Sequence, residues 1–183
     1  MSIKRKILRN NTFHMRREPQ YVWNPACENG LEEWKAKNNY SETVVGEFNS
    51  DGEGVPQDYK EAVKWYRNSA DVGDASAMYT LGVCYDNGEG VPQDYKEAVK
   101  WYRKAADLCN ATAMVNLGFC YEDSLGVPQD YIMAHMLYNV GFAHGEKLGS
   151  ENRDRLARIM TPAQIQRAED MASKKIQEFK DLK

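Results

Sequence analysis

The sequence predicts an all-α fold, a solenoid of about three helix-turn-helix repeats of 36 residues. A segment of sixteen residues, GEGVPQDYKEAVKWYR, occurs at 52–67 and again unchanged at 88–103. A degenerate third copy, LGVPQDYIMAHMLY, occupies 125–138. A glycine recurs at a constant interval of 36 residues, as Gly54, Gly90 and Gly126. A period in this range is typical of repeat proteins, in which each repeat buries its apolar face on the next.

The composition excludes several classes of protein. The 183 residues carry a formal net charge of −3 and are 42% hydrophobic, which is typical of a folded chain with a core. The isoelectric point of about 5.7 indicates no general basic field, so we expect no nucleic-acid partner. No apolar run approaches the ~20 residues of a membrane helix, and we expect no membrane span. The start of the chain lacks the apolar segment of a signal peptide, which favours a cytoplasmic location.

Residues 1–30 do not match the repeat and begin with a basic arm. Six cations precede the first acidic residue: Lys4, Arg5, Lys6, Arg9, Arg16 and Arg17. We interpret the arm as a solvated and poorly ordered terminus, because it has no regular interleaving of aromatic residues. The alternative is contact with anionic lipid or nucleic acid, which predicts binding that weakens steeply with salt.

The first repeat is the most degenerate. A segment from Leu31, LEEWKAKN, leads into a short helix at about 40–50, which lies one period before the first helix of the second repeat. The short helix carries Thr43 where the second repeat has Tyr79. We therefore expect it to be the weakest-packed helix of the array.

The second repeat predicts two helices. Asp74 is the expected N-cap of the first, ASAMYTLGVCYDN, and Gly88 ends it in a left-handed conformation. In the second, YKEAVKWYRKAADL, Asp94 and Glu97 predict a D-x-x-E capping box. Gly82 indicates a close helix crossing filled by aromatic side chains. The side chains expected to point inward are Tyr95, Ala98, Trp101 or Tyr102, and Ala105 or Ala106.

The third repeat departs from this pattern. Met133 replaces the capping glutamate, so we expect the capping box to be lost, and Ser124 replaces the helix-ending glycine. Cys109 occupies the repeat-ending position held elsewhere by Gly73 and Gly145. A positive φ there would strain a side chain.

The four cysteines, Cys27, Cys84, Cys109 and Cys120, contain no C-x-x-C pair. Cys84 and Cys120 are one period apart and hold equivalent positions in neighbouring repeats. Packed helices lie ~8–10 Å apart, whereas bridged cysteines need Cα atoms within ~7 Å. We therefore predict buried thiols and no disulfide between these two.

Residues 146–183 predict helices that cap the array. Residues 151–160 form a short amphipathic segment, after which Thr161, Pro162 and Gln164 predict an N-cap, a proline at the first helical position and a T-x-x-Q box. An apolar stripe follows at helical spacing: Ile165, Ala168, Ala172, Ile176 and Phe179.

The repeat resembles the Sel-one-like repeat, a longer relative of the tetratricopeptide repeat. The shared pattern is A-x-x-x-LG-x-x-Y-x-x-G-x-GV-x-x-DY-x-x-A-x-x-WY-x-x-AA, and the resemblance covers about 40–145. Its instances are Ala77, Leu81, Gly82, Tyr85, Gly88, Gly90, Val91, Asp94, Tyr95, Ala98, Trp101, Tyr102, Ala105 and Ala106. The segment RDRLARIMTPAQIQRA resembles the ending common in bacterial members.

The resemblance implies a right-handed superhelical solenoid that acts as an adaptor or scaffold and binds a partner on a concave face lined by first helices. It implies repeats at about 38–73, 74–109 and 110–145 within a repeat region of 31–145. By analogy with the tetratricopeptide layout, the candidate partner-binding residues are Thr43, Glu47, Asp51, Ser76, Tyr79, Val83, Asp86, Asn87, Thr112, Val115, Phe119, Glu122 and Asp123.

The candidate face mixes carboxylates with aromatic and aliphatic side chains. This mixture fits a protein or peptide with basic and apolar side chains better than an acidic one. The lysine and arginine clamp with which some tetratricopeptide domains hold an acidic C-terminus is missing from these positions. The alternative is a solvated groove without a specific ligand. We expect a monomer that needs no cofactor.

Catalytic motifs are absent from the sequence. His14, His135 and His144 form no H-E-x-x-H motif, and the sequence contains no G-x-S-x-G, no phosphate-binding loop and no paired Cys/His metal spacing. A cysteine-rich branch of the resembled family has been linked to penicillin binding or β-lactam hydrolysis. Its paired cysteines are missing here, so we expect no enzyme, and a weak hydrolase of that kind stays the alternative.

Overall fold

In a computed structural model the described residues, 42–51 and 57–181, form eight helices and no strand. The predictions for the basic arm, for the segment from Leu31 and for Cys27 lie outside the described residues. The helices are α1 Glu42–Asp51, α2 Tyr59–Asp71, α3 Ala75–Asn87, α4 Tyr95–Asp107, α5 Ala111–Glu122, α6 Tyr131–Ala143, α7 Leu148–Ala157 and α8 Pro162–Asp181. The predicted all-α helical-repeat fold is confirmed.

The described chain divides into two compact units, and the division falls within α4 between Ala105 and Ala106. In the first unit α2 packs against both α1 and α3. In the second unit α6 packs against α5, α7 and α8. Each unit thus pairs a first helix of a repeat with the second helix that follows it.

An aspartate begins the second helix of all three repeats. Asp58, Asp94 and Asp130 each accept two backbone N–H groups from the first turn, at distances of 2.9–3.2 Å. The predicted reciprocal half of the capping box does not form in the second repeat, because the Asp94 N–H donates to the Tyr85 carbonyl at 2.9 Å. Glu97 instead pairs with Lys100.

The third repeat keeps its aspartate cap. Asp130 accepts from the N–H groups of Ile132 at 2.9 Å and of Met133 at 3.0 Å, so the replacement of glutamate by Met133 leaves the helix start intact. The reciprocal half of the capping box is absent, as expected, because the Met133 side chain cannot accept the Asp130 N–H, which donates to the Tyr121 carbonyl at 3.0 Å instead. The aspartate carboxylate still satisfies two of the free N–H groups of the first turn.

A glycine and a tyrosine form the helix crossing of every repeat. A Cβ added at Gly46, Gly82 or Gly118 would lie 2.4–2.6 Å from the ring of the tyrosine twenty residues later. Those rings belong to Tyr66, Tyr102 and Tyr138, each at most 1% exposed. The predicted close crossing is confirmed, and Tyr102 fills it. Trp101 is only half-buried, with the Lys104 ammonium 3.9 Å from its ring centre.

The turns confirm the positive φ expected at Cys109, and Ser124 has a positive φ as well. Cys109 has a φ of 63° and Ser124 a φ of 59°, where the equivalent Gly73 and Gly88 have 97° and 75°. No disulfide joins Cys84 and Cys120, and both thiols are buried, as predicted. Burial raises the pKa of Cys84 to about 12, which keeps it a neutral, unreactive thiol.

The C-terminal helices follow the prediction with one shift. Helix α7 begins at Leu148, because the Glu146 carboxylate accepts the Leu148 N–H at 3.3 Å, and it ends at Ala157 instead of continuing to residue 160. The T-x-x-Q box forms in both directions between Thr161 and Gln164, at 2.9 Å and 3.3 Å. In the predicted stripe, Ala168, Ala172 and Phe179 are buried and Ile165 and Ile176 half-buried.

A buried histidine makes the stability of the second unit depend on pH. His135 is 2% exposed, and its Nδ1 has no hydrogen-bond partner among the described residues. Burial lowers the pKa of His135, and Arg153 adds to that effect, while the carboxylates Glu169 and Asp154 oppose it. Below the unfolded pKa of about 6.5, the unfolded chain therefore binds a proton that the folded chain excludes.

We expect the free energy of unfolding to fall as the pH decreases from 7.5 to 5.5, by up to about 1 kcal/mol per pH unit below 6.5. His135→Leu should flatten this dependence, which urea denaturation at the two pH values measures. His144→Asn is the matched control and should keep the dependence, because it leaves His135 in place. Equal slopes for the wild-type chain and His135→Leu would contradict the assignment.

Candidate partner-binding face

A hydrogen bond from a tyrosine fixes the end of each first helix. Ser50, Asp86 and Glu122 hold the same position in the three repeats, sixteen residues before Tyr66, Tyr102 and Tyr138. The tyrosine hydroxyl donates to Ser50 Oγ at 3.2 Å, to Asp86 Oδ2 at 3.3 Å and to Glu122 Oε2 at 2.6 Å. The acidic side chains predicted to bind a partner thus serve the contact between the two helices of their own repeats.

A glutamine of each connecting loop holds the backbone at the same position. The side-chain amide groups of Gln57, Gln93 and Gln129 donate to the carbonyls of residues 50, 86 and 122, at 2.7, 2.6 and 2.8 Å. The glutamine belongs to the repeated PQD motif. Because side chain and main chain are both bonded, the last turn of each first helix has one defined orientation.

Glu122 carries a second bond in the second unit. The Arg155 guanidinium of α7 binds both carboxylate oxygens, with Nη2 2.8 Å from Oε2 and Nη1 in contact with Oε1. Burial raises the pKa of Tyr138 far above its usual range, and the Glu122 charge beside its hydroxyl adds to the shift. Tyr138 therefore stays a hydrogen-bond donor, and Glu122 is fully engaged within the unit.

Three predicted partner-binding residues one period apart are buried. Thr43, Tyr79 and Val115 are 7%, 3% and 0% exposed. The Tyr79 ring lies 6.1 Å from the Tyr102 ring, and the Thr43 hydroxyl is 2.6 Å from the Ser69 hydroxyl. The expectation that this row faces a partner fails, because these side chains fill the space between helices of the same unit.

Three further candidates are also buried. Val83 is 8%, Asp86 6% and Thr112 9% exposed. The Thr112 hydroxyl donates to the Glu146 carboxylate at 3.2 Å. Half of the predicted face therefore presents little surface to a binding partner.

The remaining candidates face solvent. Phe119 and Asn87 are half-buried, and the Phe119 ring packs edge-on against Tyr138 at 5.4 Å. Four others are exposed: Glu47, Asp51, Ser76 and Asp123. We call Glu47, Asp51, Ser76, Asn87, Phe119 and Asp123 the outward set. It contains three carboxylates and no cation.

The family model described as Sel1 repeat matches residues 39–74, 75–108 and 111–145, which together make up more than half of the chain. The chain belongs to the Sel1 repeat family. Sel1 repeat proteins generally mediate protein–protein interactions and are typically non-enzymatic scaffolds. Among curated proteins no significant match is found.

Two solved structures show the same fold. One is a Sel1 repeat protein from Oxalobacter formigenes, 30% identical with a TM-score of 0.61, and the match covers 67% of this chain and 51% of that one. The other is a protective antigen present in uropathogenic Escherichia coli strains that displays an SLR fold, 27% identical with a TM-score of 0.56. That match covers 79% of this chain and 40% of the antigen, so the chain spans about half or less of either neighbour.

Sequence reasoning missed Asn116. It lies on the same side of α5 as Thr112 and Phe119, at steps of four and three residues, and is 4% exposed. Among the described residues neither atom of its side-chain amide has a hydrogen-bond partner. The signal in the sequence was a single amide within the Sel1 repeat helix ATAMVNLGFCYE, at the position where the preceding repeat has Thr80.

The described part of the chain offers no candidate metal site and no candidate membrane span. Over residues 42–51 and 57–181, no three His, Cys, Asp or Glu side chains are grouped so that they could hold a metal ion. None of the helices described there combines the length and the apolar character that crossing a membrane requires.

Proposed function

We propose that this Sel1 repeat protein is a non-catalytic adaptor and that residues of the outward set in each unit bind a protein or peptide with basic and apolar side chains. The proposal depends on one observation, the division of the predicted face into buried residues and the exposed or half-buried outward set. The outward row, Asp51, Asn87 and Asp123, directly follows the tyrosine-bonded row in the chain and lies exposed or half-buried. The last turn of each first helix therefore presents a polar or acidic side chain in a fixed orientation.

The chemistry of the outward set favours a cationic ligand. Glu47 and Asp51 lie one helical turn apart on α1, and Asp123 follows Phe119 by one turn at the end of α5. A carboxylate next to an aromatic ring suits a ligand with alternating basic and apolar residues, because the charges steer the encounter and the ring supplies apolar contact. Acidic ligands would meet like charges.

The proposal is tested on the full chain with two synthetic peptides of equal length, one alternating lysine with leucine and one alternating glutamate with leucine. We expect the basic peptide to bind at least about tenfold more tightly in fluorescence anisotropy, and its binding to weaken as salt is added. Asp123→Lys and Phe119→Ala should each weaken it. Asp107→Lys is the matched control, since Asp107 is an exposed acid at the end of α4 and outside the outward set.

Equal binding of the two peptides would contradict the proposal. So would a loss of binding in Asp107→Lys as large as that in Asp123→Lys, because the effect would then reflect net charge alone. Tyr79→Ala is unsuitable as a binding variant, since Tyr79 is 3% exposed and its loss would disturb the packing of the first unit.

A further inference from the structure

We infer that the last helix, α8, is a pH-dependent cap, which detaches from α6 when the solution is acidified because its docking buries His135. Both the histidine and the helix belong to the second compact unit. Detachment would expose the apolar stripe of α8 and the surface of α6 beneath it, which the end of a repeat array otherwise keeps covered. The device goes beyond the proposed binding function and is independent of the outward set.

The residue at position 135 differs from its equivalents in the other repeats. One and two periods earlier the chain has Val99 and Val63, which are 2% and 4% exposed. His135 is 2% exposed, so a titratable ring occupies a position at which the two preceding repeats bury an aliphatic side chain. The histidine stands in the repeat whose second helix, α6, packs against α7 and α8.

The burial of His135 leaves one ring nitrogen without compensation. Among the described residues, its Nδ1 is buried and has no hydrogen-bond partner. Buried polar atoms in folded proteins are almost always hydrogen-bonded, because an unpaired one has lost its water without replacement. Water can pair with this nitrogen once the covering helix moves away, which favours the detached state.

Charged groups from both C-terminal helices act on the buried ring. Burial lowers the pKa of His135 while α8 is docked, and Arg153 of α7 adds to this effect. Glu169 of α8 and Asp154 of α7 oppose the shift without outweighing it. The third helix packed against α6 is α5, whose acid Glu122 is already bound by a tyrosine and an arginine.

Release of α8 therefore takes up a proton. A histidine ring in water has a pKa of about 6.5, whereas the pKa of the docked ring is lower. Docking is at full strength above pH 6.5 and weakens by up to about tenfold for each pH unit below it, until the pKa of the docked ring is reached. At pH 5.5 the equilibrium should lie about tenfold further toward detached α8 than at pH 7.5.

The C-terminal helices bury few of their residues. Three of the 20 residues of α8 and two of the 10 residues of α7 are buried, against seven of 13 in α6 and eight of 12 in α5. Segments with few buried residues open at a lower free energy than the core of their domain. The two helices at the end of the chain are thus the part of the second unit that opens first.

Polar contacts retain α7. The Arg155 guanidinium binds Glu122 of α5, with Nη2 2.8 Å from Oε2. The Arg153 guanidinium donates to Asn139 Oδ1 of α6 at 3.2 Å. Both contacts can persist when α8 leaves, because neither involves a residue of that helix.

Apolar packing holds α8. Its buried side chains are Ala168, Ala172 and Phe179. The Phe179 ring lies edge-on to the His144 ring at the end of α6, with 5.3 Å between the ring centres. Two of the three buried side chains are alanines, which bury little apolar area, so we expect α8 to separate before α7.

Hydrogen–deuterium exchange of the full chain tests the device. Exchange of backbone amides is followed at pH 7.5 and pH 5.5 and converted to protection factors, which remove the intrinsic effect of pH on the exchange rate. We expect amides of α8 to be less protected than those of α5 at both pH values, and to lose about tenfold in protection between pH 7.5 and pH 5.5. Equal protection in α8 and α5 at both pH values would show that only the whole unit opens and would overturn the inference.

Two substitutions assign the effect to one histidine. His135→Val restores the residue of the two preceding repeats and should make the protection of α8 independent of pH over this range. His144→Asn is the matched control, which removes the ring that packs against Phe179 and leaves His135 in place. It should lower the protection of α8 at both pH values and keep the tenfold difference between them. An undiminished pH effect in His135→Val, or its disappearance in His144→Asn, would overturn the inference.

Discussion

Gly82→Val is expected to lower the free energy of unfolding by about 3 kcal/mol, the upper end of what overpacking costs. A Cβ at this position would lie 2.4 Å from Cδ1 and 2.5 Å from Cε1 of Tyr102. The ring cannot move aside, because Tyr102 is fully buried and its hydroxyl is bonded to Asp86 at 3.3 Å. Urea denaturation followed by circular dichroism measures the change.

The double variant Gly82→Ala with Tyr102→Leu is the control for this contact. The smaller leucine makes room for the added methyl group, so the pair should be less destabilised than the sum of the two single variants. Additive effects would show that the glycine and the tyrosine do not interact. A Gly82→Val chain within about 1 kcal/mol of the wild type would likewise contradict the crossing.

The sequence was sufficient to predict the helices, because their ends are set by local chemistry. Asp74 accepts the N–H groups of Ser76 and Ala77, and Gly88 closes the same helix with a φ of 75°, both at the predicted residues. Where an end depends on a contact outside the pattern, as with Glu146 at the start of α7, the predicted boundary is off by three residues. Capping motifs in the sequence do not reveal that the Glu146 carboxylate accepts the Leu148 N–H in place of an N-cap side chain.

The candidate face was predictable only in part. Helical spacing places residues on one side of a helix, but it does not say which of them the neighbouring helix covers. Tyr79 and Val115 were assigned to the surface and are buried. Asp86 and Glu122 were assigned to a partner and bind tyrosines of their own repeats.

A signal for this role was present in the sequence. A tyrosine recurs as Tyr66, Tyr102 and Tyr138, and a hydrogen-bond acceptor precedes it by sixteen residues in each repeat. The acceptor changes from serine to aspartate to glutamate, so identity between repeats does not reveal it. Only the requirement that a buried hydroxyl finds a partner links the two positions.

Glu122→Ala is expected to lower the free energy of unfolding by about 3 kcal/mol, mostly because the buried Tyr138 hydroxyl loses its acceptor. The hydrogen bond is 2.6 Å long, and the Glu122 side chain is 11% exposed. Arg155 contributes less, since it is half exposed and water can replace the carboxylate. Arg155→Ala should therefore cost about 1 kcal/mol or less.

Asp123→Ala is the matched control, because Asp123 is the next residue in the chain, is exposed and belongs to the outward set. Its removal should change the free energy of unfolding by less than about 1 kcal/mol while weakening the binding of the basic peptide. Glu122→Ala should show the opposite pattern, with a large loss in the free energy of unfolding and little effect on the binding of the basic peptide. Combining Glu122→Ala with Tyr138→Phe should cost less stability than the sum of the two single variants. If Asp123→Ala destabilised the chain as much as Glu122→Ala, the distinction between the tyrosine-bonded residues and the outward set would be wrong. That result would remove the support for a partner-binding role of the outward set.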